Sequence, residues 1–215
     1  MMKKPKRWLG LGAVLVLFIA GVWVGRIMYK TQSTPPPPPT FFRSSLAPDT
    51  AGASGDQVIT PVSGTVIEVR DGELIQAAVA QARSGDLIRV YPGTYKETVY
   101  IDKENISLQG MIQDGKWPTL DGEKELNDAL LYSGNGILIE NFKIVNYKGN
   151  GVMGQAGNNF VIRNNWILDA GVYGIFPEFG KNGLIEHNIL TGIEDAAIYV
   201  GMCDNVDVRH NEVYG

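Results

Sequence analysis

The last 45 residues, GVYGIFPEFGKNGLIEHNILTGIEDAAIYVGMCDNVDVRHNEVYG from Gly171 to Gly215, contain GLIEHN at 183–188 and then VDVRHN at 206–211. The two segments stand 23 residues apart, and the same spacing runs back into the chain. Ile139, Ile162, Ile185 and Val208 form one column, and Ile144, Ile167, Leu190 and Val213 a second. Val152, Ile175 and Ile198 form a third, and Asn165, Asn188 and Asn211 a fourth. A unit this short cannot bury its own apolar side, so successive units must stack into a solenoid.

Local alternation decides which solenoid. In GLIEHN and VDVRHN, Gly183, Ile185, Val206 and Val208 read as inward, and Leu184, Glu186, Asp207 and Arg209 as outward. That is the period of two that strands require. No unit holds a run of ten residues suited to a helix, which excludes ankyrin, tetratricopeptide and most leucine-rich arrangements. A parallel β-helix is predicted. The outward positions Glu140, Arg163, Glu186 and Arg209 alternate in sign at the same spacing, so adjacent coils avoid like-charge contact. Exposed pairs of this kind contribute about 0.2–1 kcal/mol each, so the column reports register more than stability. Asn165, Asn188 and Asn211 read as turn residues whose amides bond along the stack, and His187 and His210 as turn or rim residues in the column of Asn141 and Asn164.

Upstream, DGELIQAAVAQARSGDLIRVYPGTYKETVYIDKENISLQG begins with a helix of about ten residues, with Leu74, Ile75, Ala78, Val79 and Ala82 as its apolar stripe. Strands around 87–91 and 98–101 come next. The helix is expected to cap the open edge of the first coil.

The 215 residues carry a net charge of −4, unevenly spread: residues 1–47 hold seven Lys/Arg and no Asp/Glu, while 48–215 hold twelve and twenty-three, a net of −11. So acidic a domain lacks the clustered basic groups that nucleic acid demands, and no nucleic-acid partner is expected. The single cysteine, Cys203, rules out an internal disulfide, and no Cys/His spacing matches a zinc site. Residues 1–30 place Lys3, Lys4, Lys6 and Arg7 before an uncharged run from Trp8 to Gly25. They read as a basic stub and transmembrane anchor, with a cleaved secretory signal as the rival; either would export the remainder of the chain. Residues 31–57, with five consecutive prolines at 35–39, read as a linker, and residues 58–215 as the β-helix domain.

From Gly72 to Gly215 the chain resembles right-handed parallel β-helix proteins of the pectate-lyase-like superfamily. The likeness rests on IQAAVAQARSGDLIRVYPGTYKETVYIDKENISLQG at its start and on GVYGIFPEFGKNGLIEHN followed by EDAAIYVGMCDNVDVRHN. The latter are similar to bacterial parallel β-helix repeat proteins related to mannuronan epimerases and to periplasmic copper-site maturation proteins. The resemblance implies an all-β, single-stranded right-handed parallel β-helix. The Asp-Pro-His-Asp signature of the epimerases is absent. The chain ends on EVYG, with no capping helix or polar terminal coil, which reads as a C-terminally truncated member of a longer protein.

If Val152, Ile175 and Ile198 point inward, then Met153, Phe176 and Tyr199 form an outward column with Tyr173 beside it, suited to the apolar faces of sugar rings. Tyr173, Phe176, Tyr199 and Lys181 are the candidate substrate-binding residues, with Lys148 as a further cation near the face. Glu178 and Asp195 are the candidate catalytic carboxylates, and Asp169, Glu194 and Asp195 the candidate ligands for a hard cation such as Ca2+. The expected function is an exported, membrane-tethered domain that binds an extended acidic polysaccharide, with lyase or C5-epimerase processing. The alternative is a non-catalytic carbohydrate-binding or cell-envelope module.

Overall fold

A computed structural model describes residues 64–215. The anchor or signal and the proline-rich linker, expected at 1–30 and 31–57, lie outside the described residues, and among the described residues no helix is long and apolar enough to cross a membrane. The chain winds through three sheets in which every named strand pairing is parallel. One sheet stacks Val66–Val69, Leu87–Val90, Ser107–Gly110, Leu138–Glu140, Val161–Arg163, Lys181–Glu186 and Asp204–Arg209. A second stacks Gly93–Tyr95, Pro118–Asp121, Lys143–Tyr147, Trp166–Ala170, Ile189–Thr191 and Glu212–Tyr214. The third, which carries the candidate site, stacks Val99–Ile101, Leu130–Tyr132, Val152–Gln155, Tyr173–Glu178 and Ala196–Ile198. The result is a parallel β-solenoid.

Register along the first sheet shows where the period holds. Leu87 follows its partner Val66 by 21 residues, Ser107 follows Leu87 by 20, and Leu138 follows Ser107 by 31. Val161, Leu184 and Asp207 then follow at 23 each. Ile139, Ile162, Ile185 and Val208 are direct partners, as are Glu140, Arg163, Glu186 and Arg209. The first three isoleucines are at most 1% exposed and line the interior, while Val208 keeps the register at 46%. Glu140 differs from the expectation of a solvated column: it is 5% exposed and accepts hydrogen bonds from Gln109 Nε2 and Arg163 Nε, both at 2.7 Å. A carboxylate this buried is stable only because both neighbours donate to it.

Each coil turns its corners with left-handed residues, also 23 apart. Asn141, Asn164, His187 and His210 form one such column (φ 65°, 55°, 54° and 53°), and Ala156, Phe179 and Met202 another (φ 68°, 55° and 51°). The histidines are therefore corner residues, as the spacing predicts. Immediately after the first corner, the side chains of Asn165 and Asn188 are fully buried. Asn165 N and Nδ2 both donate to Asn188 Oδ1 at 3.0 Å, and Asn188 N and Nδ2 donate to Asn211 Oδ1 at 3.0 Å. The same Nδ2 atoms reach back to the carbonyls of Ile139 and Ile162. Large rings also fill the interior: Phe160 occupies the space a Cβ on Gly183 would enter, at 2.1 Å from its Cζ.

The helix is shorter than the periodicity predicts, spanning Ile75–Gln81. Leu74, placed in its apolar stripe by spacing, is instead the N-cap residue and 60% exposed. Ile75, Ala78, Val79 and Ala82 are buried with Val69 and Ile88 in the main core. The Glu97 carboxylate, one coil on, accepts from Ile75 N and Gln76 N at 2.8 and 2.9 Å, and Lys103 Nζ donates to the Val79 and Ala80 carbonyls at 2.7 Å. Negative charge at the first turn and positive charge at the last both suit the helix dipole. A second apolar cluster lies apart from the interior core, with Trp166, Leu168, Ile189 and Val145 on strands of the second sheet and Trp117 just before one of them.

Replacing Asn188 by Ala removes the acceptor of the buried Asn165 N–H and one donor to the Ile162 carbonyl. We expect a loss of about 2–4 kcal/mol in urea unfolding, against less than about 0.5 kcal/mol for the exposed Gln155→Ala.

Candidate functional site

The outer face of the third sheet presents one apolar column. Met153 pairs with Leu131 and Phe176, and Leu131 pairs with Tyr100. Ile198 pairs with Ile175, which sets Tyr199 in the row of Phe176, where its N–H donates to the Ile175 carbonyl at 2.9 Å. The column thus runs Tyr100, Leu131, Met153, Phe176, Tyr199 over five coils, roughly 19 Å at about 4.8 Å per step. Tyr100 and Leu131 escape a search at spacing 23, because Leu131 precedes Met153 by 22 residues and Tyr100 precedes Leu131 by 31.

The three aromatic residues expected together are together. Ring centroids of Tyr173 and Phe176 lie 4.8 Å apart, Tyr173 and Tyr199 5.1 Å, and Phe176 and Tyr199 5.3 Å, the last two pairs stacked. Stacking turns part of each face onto a neighbouring ring, so the contact surface is one fused apolar block rather than three separate platforms. Tyr199 remains 47% exposed. Gly201 makes the block: a Cβ there would stand 2.7 Å from Phe176 Cε2.

Polar groups flank the column on both sides. Downstream, Gln155 and Glu178 are paired neighbours. Upstream, Asn150 donates from N and Nδ2 to Asp128 Oδ1 at 2.9 and 2.7 Å and accepts from Tyr173 N at 3.2 Å. Burial first, and then the Asp195 carboxylate within hydrogen-bonding reach, push the Tyr173 phenol above its usual range.

The carboxylates are distributed differently from a two-acid site. Asp195 adjoins Ala196, the partner of Tyr173, and Glu178 bridges to Gly201, so the two stand at opposite ends of the strand Tyr173–Glu178. Five steps along a strand are about 17 Å, beyond the roughly 5–9.5 Å over which paired carboxylates cleave a glycosidic bond. Asp169 and Glu194 do come together, lining a hollow of about 280 Å³ with Lys124, Tyr147 and Lys148. Asp195, beside Tyr173, is not part of its lining. Among the described residues no three His, Cys, Asp or Glu side chains are grouped to hold a metal ion. Lys181 begins a strand of the first sheet and its Nζ lies 3.3 Å from Asp204 Oδ2, while Lys148 pairs with Glu125 at 3.2 Å.

A family model described as the right handed beta helix region matches residues 59–213. No curated protein matches the chain.

Gly201→Ala tests whether the ring block is built by backbone proximity. The added methyl displaces the Phe176 ring, and near-ultraviolet circular dichroism should show a changed tyrosine band while far-ultraviolet β signal and a single cooperative melt persist. An unchanged aromatic band would place the ring elsewhere.

Proposed function

We propose that this chain, which belongs to the right-handed β-helix family, binds an extended glycan along the outer face of its third sheet. The observation that carries the reading is the unbroken column from Tyr100 to Tyr199, apolar along its centre and edged by Gln155, Glu178 and Asp195. A polymer lying along the solenoid axis sets its apolar ring faces on the column and its hydroxyl groups on the polar edges, so affinity accrues coil by coil.

The geometry favours binding without hydrolysis, because Glu178 and Asp195 are separated by most of a strand. An acidic polysaccharide meets more carboxylates than cations on this face, and its binding therefore calls for Ca2+ bridging ligand and protein carboxylates. One contact supports a second, catalytic reading, related to pectate-lyase-like enzymes and mannuronan epimerases. Asp195 beside the Tyr173 phenol provides a proton acceptor and a proton donor, the two groups a lyase or C5-epimerase places at a uronate ring. In this reading the basic and apolar residues 1–30 tether the exported domain to a membrane, and the helix Ile75–Gln81 closes the first coil.

The full chain, in detergent, should bind alginate or polygalacturonate in the presence of Ca2+, or a neutral glucan without it, and the double change Phe176→Ala, Tyr199→Ala should weaken binding at least about tenfold, or about 1.4 kcal/mol. Unsaturated ends read by ultraviolet absorption, or C5 inversion read by proton spectra, would select the catalytic reading. Binding that survives the double change, or no binding to any of the three glycans, contradicts the assignment.

A further inference from the structure

We propose that His187 and His210 form a surface site for one late first-row divalent cation of the Ni2+ or Zn2+ class. They are the only two histidines in the chain and stand 23 residues apart. Both occupy the same corner of successive coils, with nearly identical left-handed backbones (φ 54° and 53°), so their side chains leave the solenoid in the same direction. Their rings are 5.1 Å apart between centroids and within 10° of parallel.

The spacing suits chelation. Two histidines four residues apart on a helix hold one zinc ion with α-carbons about 6 Å apart along the axis. Partners on adjacent parallel strands are about 4.8 Å apart, so the two imidazoles begin at least as close. Bringing one nitrogen of each to about 2.0–2.1 Å from a common ion requires only that the stacked rings splay. The His187 side chain, 53% exposed, has room to do so.

The corner itself does not call for histidine. Asn141 and Asn164 hold the same left-handed position in the two preceding coils, and asparagine is the residue that adopts it most readily after glycine. Nor is the pair held by a carboxylate of its own. Glu186 Oε2 is 4.0 Å from His187 Nε2 but accepts from Arg209 Nε at 3.0 Å, so its charge is already matched. Two imidazoles facing one another at the surface are a donor set that late first-row cations prefer, with water completing the shell.

Isothermal titration of the full chain with NiCl2 and with ZnCl2, in a buffer that does not chelate, tests the site. The expected result is one equivalent bound, weakened at least tenfold by His187→Asn and equally by His210→Asn, with the imidazole Hε1 resonances of both residues shifting together. Each change installs the residue that already occupies the corner in earlier coils, and an unaltered thermal midpoint in the absence of metal confirms the fold. Loss of binding in only one variant, equal binding in the double variant, or no binding by the unaltered chain overturns the proposal.

Discussion

A buried amide that bonds to the coil above it is the constraint on which the rest of this structure depends. Asn165 and Asn188 lie in a fully enclosed interior where an unmade hydrogen bond is costly. Each is satisfied only when the next asparagine stands one coil further on: Asn188 for Asn165, and Asn211 for Asn188. The left-handed residue before each of them, Asn164, His187 or His210, turns the chain so that the amide points inward. Where successive coils share the 23-residue step, a strand that slips by one residue breaks both the ladder and the alternation, because such a slip sends every apolar side chain to the opposite face.

Fixed register turns sequence columns into physical ones. The same 23-residue step that stacks Ile162 on Ile185 inside the solenoid stacks Phe176 beneath Tyr199 and His187 beneath His210 outside it. Rigid coils also fix what cannot meet. Glu178 and Asp195 share a face but belong to opposite ends of one strand. The separation of these acids favours the proposed binding reading over a hydrolytic one.

Much of this is legible in the residues from Leu138 onward, where three successive coils have equal length. Before that, steps of 21, 20 and 31 residues hide the register, which is why Tyr100 and Leu131 do not announce themselves as members of the aromatic column. Alternation also tempts one to assign polarity by face. Glu140 follows the outward pattern yet is buried between Gln109 and Arg163, and Trp166 and Leu168 are outward positions that form an apolar cluster of their own. The grouping of Asp169, Glu194 and Asp195 fails for a local reason, since consecutive residues at a corner diverge: Glu194 lines the hollow and Asp195 turns to Tyr173. The aromatic cluster is legible because its members differ by one full coil or lie three residues apart on one strand.

The register is tested most directly by removing one coil. Deleting residues 165–187, a full step of 23, joins Asn164 to Asn188 and restores every column beyond the junction. Deleting residues 165–186, one residue fewer, leaves His187 after Asn164 and shifts all later columns by one. Urea unfolding followed by far-ultraviolet circular dichroism should show a cooperative transition for the first deletion, with a smaller m-value in keeping with the lost coil, and destabilisation by several kcal/mol or loss of the transition for the second. Equal stability of the two would contradict the account, because it would mean that neither the amide ladder nor the alternation sets the length of a coil.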